Sequence, residues 1–434
     1  MKKIMMIIPL FLLMFLTFSC SKEEEFSEEK LNKNLNNYIA SLVDDTKGYI
    51  PSWNKENFKG KWNYIDGVFL NSLIESYKIE KDKKMLDFIL KYTDYYINSN
   101  GEFVNLLDSE KSGFTEGELD TICESKILFD LYDFTNDSKY LKAIEYTYEK
   151  LTQITRAKNG VNFSHKESYP YQIWLDGMYM YVPFYARYGL LHDNDEIFTE
   201  IVAQYEYIRQ NMFDENSKLY YHGNDTSKSI FWANKETGNS KSFWLRSMGW
   251  YIMSLVDVIE YFNDPLNKEY LISLLDEALD GIIKYIDDDT KMFYQLIDKK
   301  NQSFLVPALY LSGLKNTKYQ SNGKYNDTTI SNYLESSGSS MIAYSLMKAS
   351  RLGYIDDKFE LGKEIFFGIY KHSYKNNSLN DICITAGLGP ENKIYRDGTS
   401  EYYLAEPVGS NDAKGVGPFL MAYLEYKNNK DLQK

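Results

Sequence analysis

The residues with most to say about chemistry are a few polar side chains set in apolar surroundings. Asp176 stands in Trp174-Leu-Asp-Gly-Met178, where burial favours the protonated form that a general acid needs. Asp120, in Leu119-Asp-Thr-Ile122, and Asp66, in Trp62-Asn-Tyr-Ile-Asp-Gly67, occupy similar positions. Each of the three serves equally well as a helix cap. Two acidic groups on different helices are the minimum for hydrolytic acid/base work on sugars. Arg246 lies in Phe243-Trp-Leu-Arg-Ser-Met-Gly-Trp250, an otherwise aromatic and apolar helix start. Its planar fork suits a carboxylate, and the alternative is a structural pairing with a core Asp. Trp174, Trp244 and Trp250 would form walls on which a sugar ring stacks. His165, Lys166 and His222 fall in loops within reach of such a pocket. Neither His-Glu-x-x-His nor a glycine-rich nucleotide loop occurs, which leaves cofactor-free acid/base chemistry with no metal.

These residues need a frame, and the frame is helical. Apolar residues recur at i, i+3, i+4 and i+7 near 27–45, 62–80, 83–99, 118–135, 137–152, 172–190, 194–212, 243–262, 266–285, 332–352, 356–371 and 413–427. Asp82, Asp137 and Asn267 open second helices of pairs, so the chain reads as a tandem of helical hairpins. Twelve helices with an insertion at 286–331 match a closed double ring, six inner and six outer, better than an open array. Polar residues that open inner helices would then face a common hollow. Leu219 to Gly223, Phe293 to Leu296 and Tyr402 to Leu404 are predicted as short strands.

Composition excludes other classes. The 434 residues carry a formal charge of −13 without a basic run, which argues against nucleic acid. An anionic ligand would need local positive charge against that background. Three cysteines cannot staple a fold. Lys2 and Lys3 precede the apolar run Ile4 to Phe18, the layout of a secretory signal, and the run ends at Cys20 in a sequence resembling a lipobox. The expectation is a signal over 1–19, lipidation at Cys20, an acidic tether over 20–26 and one catalytic domain over 27–434. Ser21 to Glu25 resembles the acidic export tag of surface lipoproteins, which points to a lipid anchor in a bacterial outer membrane.

Seven segments together resemble the unsaturated rhamnogalacturonyl hydrolases, glycoside hydrolase family 105. They are Trp62-Asn-Tyr-Ile-Asp-Gly67, Leu119-Asp-Thr-Ile122, Trp174-Leu-Asp-Gly177, Tyr221-His-Gly223, Phe243 to Trp250, Tyr333-Leu-Glu-Ser-Ser-Gly-Ser339 and Lys414-Gly-Val-Gly-Pro418. They run in order from about residue 30 to 428; family 88 shares the fold and chemistry but fits these motifs less well. The resemblance implies an (α/α)6 barrel without metal. It implies Asp176 as general acid/base and Asp120 as second carboxylate. Tyr64, His222, Trp244 and Arg246 would hold an unsaturated uronate, with His165 and Lys166 toward the next sugar. The partner would be an oligosaccharide left by a polysaccharide lyase, either unsaturated galacturonyl-rhamnose or a relative such as glucuronyl-rhamnose from ulvan. A helical glycan-binding lipoprotein or a conventional endo-hydrolase on the same fold are the competing readings.

Overall fold

The structure is a computed structural model that describes residues 27–43 and 60–432. The signal, Cys20 and the tether lie outside the described residues. Fifteen helices are present among those described: α1 (Glu28–Val43), α2 (Tyr64–Glu80), α3 (Lys83–Tyr96), α4 (Asp120–Glu124), α5 (Ile127–Thr135), α6 (Ser138–Thr152), α7 (Leu175–Leu191), α8 (Asp195–Met212), α9 (Leu245–Val258), α10 (Pro265–Ile282), α11 (Ala308–Gly313), α12 (Ser336–Arg351), α13 (Phe359–His372), α14 (Ser400–Ala405) and α15 (Ala413–Leu432).

Two kinds of helix build the architecture. In α7 every residue from Leu175 to Ala186 is buried, whereas α3 buries only Met85, Phe88, Ile89, Tyr92, Thr93 and Tyr96 along one stripe. A helix apolar all round must sit inside, and an amphipathic one can cover it. Accordingly α2, α4 with α5, α7, α9, α12 and α15 pack side by side as an inner ring, and α15 closes it against α2. Outside lie α1, α3, α6, α8, α10 and α13. The fold is thus an (α/α)6 barrel with a continuous apolar core between its layers. No helix of the described residues is long and apolar enough to cross a membrane.

The hairpin turns follow from side-chain capping. Asp82 accepts from Lys84 N–H at 2.9 Å, Asp137 from Lys139 N–H at 3.0 Å and Asn194 from Glu196 N–H at 3.1 Å. At α10 the cap is Asp264, not the expected Asn267, whose own N–H donates to Asp264 at 2.8 Å. Pro265 at the first helical position is what moves the start upstream, since its missing N–H costs nothing there.

Three further expectations change. The single helix expected over 118–135 is broken between Glu124 and Ile127, where Lys126 turns inward, donates to the Tyr179 carbonyl at 3.2 Å and lies 3.4 Å from that ring's centre. Tyr402 to Leu404 are helical, inside α14, because Thr399 caps that turn. The segment Leu219 to Gly223 splits: Leu219–Tyr220 pairs with Phe213–Asp214, and Gly223–Asp225 pairs antiparallel with Gln172–Trp174. The second pairing sets Gly223 opposite Trp174, next to the start of α7.

Candidate active site

The inner helices all bring a functional side chain to the same end of the barrel. Tyr64 is the first residue of α2, Asp120 the first of α4, Asp176 the second of α7, Arg246 the second of α9 and Lys414 the second of α15; Glu335 caps α12. Positive ends of helix dipoles therefore converge where an acidic protein would otherwise repel an anion.

Asp176 meets His222, whose Nε2 lies 3.1 Å from Oδ2. The other ring nitrogen, Nδ1, is 2.6 Å from the Tyr403 hydroxyl. Trp174 packs its edge on His222 and runs parallel to both His165 and Tyr169, with ring centres 4.3 and 5.2 Å away. His165 carries the site from Asp176 to the second carboxylate, since its Nε2 is 3.5 Å from Asp120 Oδ1. Burial pushes the His165 imidazole down to about 4 despite Asp120, so it is neutral in use. Lys166 Nζ stands 2.6 Å from Asp120 Oδ2 and 3.0 Å from Glu118. Burial would raise the Asp120 carboxyl, but Lys166 and then His165 outweigh it and hold it below the usual carboxylate range. One cleft of about 600 Å³ takes in Tyr64, Asp120, Lys166, Thr385, Asp412 and Lys414.

Arg246 is 2% exposed and donates through Nη1 to the Cys383 carbonyl and to Ser337 Oγ. Both of these partners are neutral oxygens and neither is an Asp, so the core-Asp alternative is not what the fold uses. Its guanidinium carbon sits 4.8 Å from the Trp244 ring centre, and Trp244 in turn donates to Gln295 at 3.1 Å. Burial of Tyr64, reinforced by Asp120, pushes that phenol far up, leaving it a neutral hydrogen-bonding group.

Thus Tyr64, Asp120, His165, Lys166, Trp174, Asp176, His222, Trp244 and Arg246 come together. Trp250 does not. It is 1% exposed and stacks on Tyr179 with ring centres 4.7 Å apart, deep between α7 and α9; Trp244, at the site but also 1% exposed, runs parallel to Tyr403 at 5.9 Å, so the expectation of a sugar-stacking wall is withdrawn for both. Helical spacing explains the depth of Trp250: four residues after Arg246 is one turn further from the mouth. Four contributors were absent from the sequence reading of the site. Glu335 accepts from Ser337, Gly338 N–H and Cys383 N–H at 2.6, 2.7 and 3.0 Å and so fixes the loop that Arg246 also grips. Asp412 and Lys414 pair at 2.9 Å, and the Lys-Gly-Val-Gly-Pro motif was the available signal for them. Tyr403 had none, since its neighbours read as a strand.

The sequence profile of Glycosyl Hydrolase Family 88 matches residues 38–315 and 315–430, and the chain belongs to that family. A glycoside hydrolase from family 105 of C. acetobutylicum ATCC 824 is 34% identical in its solved structure, with 92% of this chain and 99% of that chain covered and a TM-score of 0.76. Protein Atu3128 of Agrobacterium fabrum is 31% identical over 256 residues, 57% of this chain and 97% of that protein. The unsaturated rhamnogalacturonyl hydrolase YesR of Bacillus subtilis is 20% identical over 274 residues, 59% of this chain and 73% of its own length. The chain is a glycoside hydrolase of the kind that acts on unsaturated uronic acids.

Proposed function

We propose that the chain hydrates the C4=C5 bond of a terminal unsaturated uronic acid and thereby releases it from unsaturated galacturonyl-rhamnose. The observation that carries this reading is the approach of Asp176 to His222 at 3.1 Å in a site where Arg246 bonds a carbonyl and a hydroxyl and not a carboxylate. The double bond is an enol ether. Protonated Asp176 delivers its proton to C4, and an oxocarbenium-like centre develops at C5. Ionised Asp176 then takes a proton from the water that adds there. The hemiketal so formed opens and frees the next sugar. Asp120, held ionised by Lys166, stabilises the developing positive charge. Because the ring is hydrated at C5 and not displaced at C1, the separation of the carboxylates does not predict inversion or retention.

Charge balance favours a neutral neighbouring sugar. The cations at the cleft, Lys61, Lys166 and Lys414, are matched by Glu118, Asp120 and Asp412. Lys166 and Lys414 already hold these carboxylates at 3.0 Å or less. Reading a sulfate through Lys166 or Lys414 would require breaking one of those pairs. Arg246 supplies charge for one carboxylate, that of the uronate. Incubation with unsaturated galacturonyl-rhamnose and, separately, with sulfated glucuronyl-rhamnose tests this by the loss of enol-ether ultraviolet absorbance. Faster loss with the neutral neighbour is expected; no loss with any unsaturated oligosaccharide overturns the enzymatic reading and leaves a glycan-binding protein.

Location is part of the same proposal. With Cys20 acylated, the barrel would be held at the outer membrane, where lyase products arrive. Cys20→Ala should then move the protein from membrane to soluble fractions, and unchanged fractionation would remove the anchor.

A further inference from the structure

Tyr403 belongs to α14, in the long excursion between α13 and α15, and meets His222 across 181 positions of sequence. It is 0% exposed. Its hydroxyl has one hydrogen-bonding partner among the described residues, His222 Nδ1 at 2.6 Å. A buried phenolic proton needs an acceptor, and here the acceptor is Nδ1. Were Nδ1 to carry the hydrogen instead, the two donors would face each other's oxygen and nitrogen with one proton left unsatisfied in a closed space.

We propose that Tyr403 is a positioning residue that fixes the tautomer of His222, so that Nε2 carries the hydrogen on the side of Asp176 Oδ2, which lies 3.1 Å away without yet being aligned as its hydrogen-bond acceptor. This rests on the reading of Asp176 as the acid/base. The other tautomer would turn a bare nitrogen lone pair toward the carboxylate and repel its ionised form. With Nε2–H in place, the ionised carboxylate left after proton delivery to C4 has a polar hydrogen beside it, not a lone pair, and a small turn of the carboxylate aligns the two when its charge appears. Burial also pushes the Tyr403 phenol well above its ordinary value, followed by the effect of Asp176 itself, so the donor keeps its proton throughout the working range.

The neighbouring residues hold this donor in place. The Tyr402 hydroxyl accepts from the Gly387 N–H at 2.9 Å and lies 2.6 Å from both the Gly387 carbonyl and Glu406 Oε1, which share its one proton. Tyr403 then points the other way, with its ring roughly parallel to Trp244 at 5.9 Å. The excursion that carries α14 is thereby tied to the inner-helix starts.

The test reads the tautomer directly. The chain has four histidines, so nitrogen-15 labelling of histidine alone gives a spectrum in which His222 is assigned by its loss in His222→Gln. In the native protein we expect long-range nitrogen–proton correlations typical of protonated Nε2 and bare Nδ1. In Tyr403→Phe the pattern should shift toward the other tautomer, with kcat down at least about tenfold and KM within about twofold. Protonated Nδ1 in the native spectrum overturns the proposal even if Tyr403→Phe fails to fold. So does a folded Tyr403→Phe with unchanged kcat. Inactivity of the native enzyme on every unsaturated oligosaccharide overturns the functional reading instead, and leaves the tautomer result standing as a structural fact.

Discussion

Lys166 holds its ammonium 2.6 Å from Asp120 Oδ2, with Glu118 at 3.0 Å on its other side. The pair explains why a carboxyl at the floor of a cleft stays ionised. Because the folded value of Asp120 lies below its ordinary one, the ionised form is favoured above that ordinary value and is lost as pH falls through the folded value. Lys166→Met should therefore move the acid limb of kcat/KM to higher pH, toward and past the usual range for Asp. A profile that superimposes on the native one would show that Asp120 ionisation is not what the reaction needs.

Asp176→Asn keeps the shape of the side chain and its place beside His222 but cannot cycle a proton. Turnover should fall by at least ~10²-fold, with the melting temperature little changed. Asp120→Asn should also be damaging. Full activity in a folded Asp176→Asn protein would reassign the acid.

Arg246→Lys preserves charge and loses the fork. The guanidinium bonds the Cys383 carbonyl and Ser337 through one nitrogen, Nη1, which leaves its other donors to face a ligand. An ammonium cannot serve both sides at once, so KM should rise about tenfold, corresponding to ~1.4 kcal/mol of lost binding. Calorimetric melting separates this from loosening of the Cys383 loop. An unaltered KM would take Arg246 out of the site.

Glu406 gives a pH signature of stability. It is 1% exposed, and burial pushes its carboxyl up to about 7, against the opposing pull of Arg396, whose Nη2 is 3.6 Å away. A carboxyl whose folded value lies above its unfolded value stabilises fully below about 4.5, and that contribution is lost as pH rises through about 7. The loss amounts to at most about 3 kcal/mol. Glu406→Gln cannot ionise, so its melting temperature should gain on the native protein between pH 5 and 8. Parallel curves across that interval would contradict the assignment.

Much of the barrel is legible along the chain, for a local reason. The i, i+3, i+4 recurrence reports which side of a helix is buried, and Asp82 and Asp137 mark starts because an N-cap is bonded only two or three residues on. Asp120, Asp176 and Arg246 stand out because a charged group at an apolar helix start needs a partner wherever it goes. These features depend on neighbours in sequence, so the sequence alone determined them.

Tertiary structure decided the rest. Trp250 and Trp244 look alike in sequence, yet Trp250 is core and Trp244 touches His222, because depth along a helix axis, set by where the ring of helices opens, separates them. The break at Lys126 exists because the Tyr179 carbonyl, on another helix, offers that ammonium an acceptor. His222 and Tyr403 meet 181 residues apart, and Arg246 reaches Cys383 across 137. No periodicity or capping signal encodes such a pairing. It is fixed only when six helices close a ring and fold the long excursion before α15 over its mouth, where a buried hydroxyl and a buried imidazole must satisfy each other.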